Sequence, residues 1–186
     1  MKPKSTLMAG LVLTALTAAA QQAPADPQAA ADAANRAAAL RNPHPSPRQR
    51  AELERAAQAQ QNQQAGAAEL ASNASRPGVT TLPSGVEYRI VKAGSGKRPT
   101  DANTVLVNYK GMRPDGKVFD QSEAKQPTAF KVAGLMPGLR EAVTRMQVGA
   151  QWEVVVPPQL GYGARGHEGV GPNSVLTYVV ELVGVK

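Results

Sequence analysis

The chain contains no cysteine. That removes disulfides, thiolate nucleophiles and cysteine-ligated metals together, and it suits an oxidising compartment, where a stray thiol is a liability. Aromatic residues are scarce as well: seven in 186 residues, none of them before Tyr88. Residues 1–80 therefore lack the large side chains that dominate core burial, and the packed domain is expected in 81–186. Roughly a hundred residues suffice for one modest hydrophobic core. A basic run is also missing. The formal net charge is +7, but the lysines and arginines are scattered, never more than two in a row, which reads as a solvated basic surface and not as a nucleic-acid stripe. His44 and His167 are isolated, so neither a metal site nor a triad is expected, and no cofactor. Gly161-Tyr162-Gly163 fits no phosphate-binding pattern, which sets nucleotides aside. Long apolar runs are absent too. The stretch Leu7–Leu16 is too short for a spanning helix, which needs about 20 apolar residues.

Short as it is, that stretch has an order. Two lysines lie in Met1–Lys4, the apolar residues follow, and Thr17-Ala18-Ala19-Ala20 supplies small side chains. Positive, then apolar, then small is the order of a secretory signal peptide. Cleavage is expected near Ala20, with no membrane attachment afterwards and, without a cysteine, no lipid anchor. Residues 21–45 are rich in Ala, Pro and Gln and read as a disordered linker. A helical arm is expected over 46–76. Ser46 is the candidate N-cap, Pro47 suits the first helical position, and Gln49 can close a capping box. Only Leu53 and Leu70 are large and apolar in it, so the arm offers a thin seam. It is expected as a spacer, with weak dimerisation as the alternative, and Arg76-Pro77-Gly78 ends it.

Beyond residue 80 the period changes. Asn103–Lys110 alternates Val105, Val107 and Tyr109 against Thr104, Leu106 and Asn108, the pattern of a sheet strand. Pro114-Asp115-Gly116 is a turn signal into a second strand at Lys117–Gln121. Pro137-Gly138 opens a short helix with Leu139, Ala142, Val143 and Met146 on one face, and Gly149 stops it. Gln151–Val156 and Val175–Val185 alternate again. Several antiparallel strands with one inserted helix predict an α+β domain, the helix on one sheet face. Between the last two strands, Pro157–Pro172 is long for a compact domain and holds five glycines around Tyr162, as a flap or binding loop does. Trp152 is expected to pack on the far side of the sheet.

The ordered set Val107-Asn108-Tyr109-Lys110-Gly111, Asp115–Ser122, Met136-Pro137-Gly138, Met146–Gly149, Leu160-Gly161-Tyr162-Gly163, Gly171–Ser174 and Val180-Glu181-Leu182 resembles the FKBP-type peptidyl-prolyl cis-trans isomerases. The match runs in order over some hundred residues of this chain. The arm and junction, Asn62–Gly66–Leu70, Arg76–Val79 and Ser84-Gly85-Val86, are similar to exported bacterial members of the macrophage infectivity potentiator type, with the N-terminal helical region much reduced.

This resemblance implies an antiparallel sheet half-wrapped around one short helix, with an apolar pocket between them. It implies isomerisation of X–Pro bonds in proline-containing unfolded or exported polypeptides, in the periplasm. A weakly catalytic proline-peptide-binding or chaperone module on the same fold is the alternative. Tyr109, Asp120, Met136 and Tyr162 are the implied catalytic residues. Phe119, Phe130, Leu135, Leu139, Val170 and Tyr178 are the implied substrate-binding ones. Macrolide inhibitors are implied as ligands, and the reduced arm leaves a monomer or a weak homodimer. Two departures stand out. The pocket floor, usually a Trp on the helix, is Leu139 here, and the flap after His167 is about one residue shorter.

Overall fold

The computed structural model describes residues 45–123 and 126–186. The expected signal peptide, and all of the expected linker except Pro45, lie outside the described residues. The first element is α1 (Pro47–Ala74). Its start is a closed capping box: the Gln49 N–H donates to Ser46 Oγ at 3.3 Å, and the Ser46 N–H donates to Gln49 Oε1 at 2.9 Å. Pro47 at the first position loses nothing, because its N–H would have no helical partner there. The chain then turns at Gly78, whose φ of 80° favours glycine.

Seven strands follow in one antiparallel sheet: β1 (Val79–Thr81), β2 (Glu87–Lys92), β3 (Thr104–Met112), β4 (Val118–Gln121), β5 (Thr128–Lys131), β6 (Gln151–Val156) and β7 (Leu176–Val185). Their spatial order is β1-β2-β6-β7-β3-β4, and β5 pairs with the first half of β3. The fold is therefore α+β, with an open antiparallel sheet. Between β5 and β6 the chain forms α2 (Pro137–Val143), which lies on the concave face. Leu139, Ala142 and Val143 are buried in it, and a Cβ added at Gly138 would stand 2.5 Å from Val156 Cγ1. That close approach is what lets the helix sit down on β6.

Three expectations are corrected here. The helix over 137–149 ends at Val143, and tighter turns carry the chain on: the Met146 N–H donates to the Val143 carbonyl at 3.1 Å. Met146 is nonetheless fully buried, with 0% exposure. Trp152 is not on the far side. It pairs with Val180 across β6 and β7, and paired residues share a face, so Trp152 lies on the concave side with Val154 and Val156. Its ring stacks on Tyr88 with centroids 4.3 Å apart.

The third correction concerns α1, which is no free-standing spacer. Asn62, Gly66, Glu69 and Asn73 recur at offsets of four, three and four, the spacing of one helix face. All four touch the sheet unit. Gly66 lies so close to Val175 that an added Cβ would come within 2.6 Å of its Cγ2. Asn73 is buried and donates to Glu87 Oε2 at 2.7 Å, and Thr177 Oγ1 donates to Glu69 Oε1 at 3.5 Å. Just beyond the helix, Arg76 pairs with Glu153 at 2.8 Å. Residues 45–186 form one compact unit. The seam was missed because it is built from small and polar side chains, whereas the expected spacer was read from the shortage of large apolar ones. Among the described residues no helix is long and apolar enough to cross a membrane.

Candidate functional site

Strand alternation puts Val105, Val107 and Tyr109 of β3 on the concave face, and Tyr178 and Val180 of β7 beside them. Gly111 pairs with Tyr178, and Tyr109 with Val180. Between this face and α2 lies a cavity of about 370 Å³, a volume in the range of small-ligand sites. Eight of the ten site residues expected from the sequence line it: Tyr109, Asp120, Phe130, Leu135, Met136, Leu139, Tyr162 and Tyr178. The wall is completed by Val107, Gly134, Val143 and Val180, which sequence reading did not assign. Val107 was legible as the alternation partner of Tyr109, and Val143 as the next turn after Leu139. Gly134 carried no signal.

Phe119 and Val170, also expected in the wall, are not among the residues that line the cavity. β4 carries a bulge: Gly111 pairs with Asp120 and Met112 with Val118, so Phe119 is the extra residue. A bulge breaks the alternation that would send neighbours to opposite faces. Asp120 therefore reaches the cavity while Phe119 packs on the same side, edge-on to Tyr178 (centroids 5.8 Å, 85°) and to Tyr162 (6.3 Å, 77°). Phe119 thus packs edge-on against two wall residues. Val170 is held by a pair of backbone hydrogen bonds with His167, at 2.9 and 2.8 Å. Its side chain is 5% exposed and joins the core below the loop.

The polar groups of the site converge. Tyr109 donates its hydroxyl to Asp120 Oδ2 at 2.9 Å. Tyr109 also meets Phe130 edge-on at 5.6 Å. Tyr162 stacks on His167, with centroids 4.6 Å apart and planes within 18°. Met136 precedes α2 in an extended conformation, and among the described residues its N–H engages no backbone acceptor. The cavity is thus an apolar, aromatic-walled hollow with one carboxylate, three phenols and a free N–H at its edges.

Burial keeps the Tyr109 and Tyr178 phenols protonated. Burial, then the hydrogen bond to Asp120 and its charge, push the Tyr109 phenol up to about 12. Burial raises Tyr178 as well, and the neighbouring Tyr162 and Asp120 add to the shift. A raised phenol in the folded state means that the unfolded chain gives up its proton first. Its contribution to stability is therefore whole below about pH 10 and is lost as pH rises toward the folded value. Absorbance titration at 295 nm is expected to show the Tyr109 and Tyr178 phenols ionising above the ordinary tyrosine value near 10, together with unfolding. All phenols titrating together near pH 10 in a still-folded protein would contradict this.

Comparison with known proteins agrees with this geometry. Residues 95–183 match the family model described as FKBP-type peptidyl-prolyl cis-trans isomerase, and residues 2–90 match the domain amino-terminal to it. The chain is 44% identical to the outer membrane protein MIP of Legionella longbeachae over 130 residues, 69% of this chain and 56% of that protein. It is 46% identical to the peptidyl-prolyl cis-trans isomerase Mip of Coxiella burnetii, over 63% of this chain and 52% of that one. The chain thus spans about half the length of these curated relatives. Among solved structures, FkpA from Escherichia coli aligns with a TM-score of 0.71 and 39% identity, over 73% of this chain and 64% of that one. A peptidyl-prolyl cis-trans isomerase from Pseudomonas syringae pv. tomato aligns with a TM-score of 0.65 and 33% identity, over 68% of this chain and 95% of that one. A half-wrapped sheet, a short helix over its hollow, sequence motifs in matching order and a relative covered almost end to end all point one way: the chain belongs to the family of FKBP-type peptidyl-prolyl cis-trans isomerases.

Proposed function

We propose that this chain is itself a peptidyl-prolyl cis-trans isomerase, acting on proline-containing segments of unfolded exported polypeptides in the periplasm. The observation that carries this reading is the aromatic-walled cavity edged by the Tyr109–Asp120 pair. Amide resonance sets a rotation barrier of about 18–20 kcal/mol, which makes X–Pro isomerisation slow enough to limit folding. In the twisted transition state that resonance is broken, and the amide loses much of its dipole. An apolar hollow therefore disfavours the planar ground state more than the twisted one, which is differential binding of the transition state. No covalent bond to the protein and no cofactor are needed.

Each residue has a part in this. Phe130, Leu139 and Tyr178 enclose the proline ring. The Met136 N–H donates to one substrate carbonyl and the Tyr162 hydroxyl to another. Asp120 orients Tyr109 and faces the carbon of the twisted carbonyl. Phe119 and Val170 act without lining the cavity, by holding the wall's rings and the loop. The N-terminal twenty residues serve as the export signal, removed near Ala20.

A protease-coupled assay on a Xaa-Pro peptide tests the reading. Isomerisation clearly faster than the buffer control supports it; a rate equal to the control favours a proline-peptide-binding module with little turnover. Leu139 gives that second reading its one specific support, because the floor lacks the broad ring usual in the family. The same residue yields a prediction. Leu139→Trp is expected to tighten a macrolide inhibitor about tenfold, worth ~1.4 kcal/mol, as measured by titration calorimetry. An unchanged Kd would show that the floor does not set affinity.

A further inference from the structure

The loop that carries Tyr162 is held from outside the sheet, by α1. Asn62 donates through Nδ2 to the Pro172 carbonyl at 2.7 Å and to Ser174 Oγ at 3.2 Å. Its own Oδ1 accepts from Gln58 Nε2 at 2.8 Å, which fixes the amide's orientation. About two turns before Asn62, Arg55 Nη2 donates to the Arg165 carbonyl at 2.7 Å. These contacts fall on the middle of the loop and on its C-terminal end.

Asn62 grips the residues on either side of Asn173. Among the described residues Asn173 is the non-glycine residue with positive φ, at 53°, a conformation asparagine tolerates but does not prefer. In that conformation the Asn173 N–H donates to the Gly163 carbonyl at 2.9 Å. Gly163 is the residue after Tyr162. Ser174 closes the same turn by donating to the Gly171 carbonyl at 2.9 Å. A short run of hydrogen bonds therefore leads from the helix to the backbone next to the Tyr162 ring.

We propose that Asn62 is a positioning residue for Tyr162: by pinning Pro172 and Ser174 it holds the left-handed turn at Asn173, and that turn holds Gly163 and the Tyr162 hydroxyl at the cavity. The role makes α1 a working part of the isomerase unit. It rests on the isomerase reading above, and it assigns a function to a helix that touches no substrate.

The test uses the full chain with Asn62→Ala, Asn62→Asp and, as a control on the exposed side of α1, Glu54→Ala. Asn62→Asp keeps the size but replaces the donor by an acceptor, so it serves if the alanine variant folds poorly. Both Asn62 variants are expected to lower kcat/KM on a Xaa-Pro peptide about three- to tenfold, the loss typical of one hydrogen bond, while Glu54→Ala matches the parent. In a Tyr162→Phe background the Asn62 substitutions should cost almost nothing more, because residues acting through one another are not additive. Amide hydrogen exchange at Asn173 should accelerate in the Asn62 variants and not in Glu54→Ala. Equal losses in both backgrounds, parent-like activity, or unchanged exchange at Asn173 would each overturn the proposal. An inactive parent would sink the isomerase reading, and the exchange measurement would still decide whether Asn62 holds the turn.

Discussion

Asp120→Ala is expected to lower kcat/KM on a Xaa-Pro peptide about tenfold or more, equivalent to ~1.4 kcal/mol of transition-state stabilisation, with the melting temperature moved by only a few degrees. The asymmetry follows from where Asp120 sits. It is exposed on β4, so its removal opens no core cavity, and surface substitutions seldom move stability by more than about 0.5 kcal/mol. Among the described residues its side-chain partner is the Tyr109 hydroxyl at 2.9 Å, so the loss falls on the cavity edge. Asp120→Asn separates the two parts of its role. The amide oxygen still accepts from Tyr109, while the charge facing the carbonyl carbon is gone. If Asp120 acts only by orienting Tyr109, the asparagine variant keeps most of the parent rate. If its charge matters, both variants fall together. The Tyr109 phenol reports independently, because Asp120 contributes to holding it near 12; in either variant it should ionise at lower pH. Rates within twofold of the parent for both substitutions would remove Asp120 from the mechanism.

Gly111→Ala is the second large effect, and it acts by displacing rings. An added Cβ at position 111 would come within 2.8 Å of Phe119 Cζ and 2.9 Å of Tyr178 Cε1. Neither ring can swing away freely. Tyr178 is 2% exposed, and Phe119 is wedged between Tyr178 and Tyr162. Forcing an extra carbon into such packing costs about 1–3 kcal/mol, which should lower the melting temperature by several degrees. The displaced rings include one wall residue and the support of another, so kcat/KM should fall more than about tenfold. Combining it with Phe119→Leu frees space over position 111 and should return part of the stability. A Gly111→Ala protein that melts and turns over like the parent would mean that the rings do not need their observed packing.

Several features of this fold are readable without coordinates because they are local. The Ser46–Gln49 capping box needs only four consecutive residues. The alternation of Gln151–Val156 marks a strand by its own period. The sides of α2 follow from the three- and four-residue offsets of Leu139, Ala142 and Val143. The confinement of all seven aromatics to residues 88–178 places the core in the C-terminal part of the chain.

What needed the tertiary structure is of another kind. Period two states that Trp152 shares a face with Val154, but not whether that face meets α2 or solvent; pairing with Val180 decides it. Phe119 and Asp120 are neighbours, and alternation would separate them. The bulge against β3 brings both to the cavity side and gives one the wall and the other the support. The docking face of α1 is written in Asn62, Gly66, Glu69 and Asn73, which carry no apolar signature, and the meaning of Asn62 and Glu69 depends on carbonyls and hydroxyls about a hundred residues further on. The sequence determined which residues share a side of their own element, because helix and strand periods are properties of a short stretch of chain. Which sides meet, where a register slips and what holds the Tyr162 loop were decided only when distant segments packed, because those choices depend on pairing and close approach between residues that no local period relates.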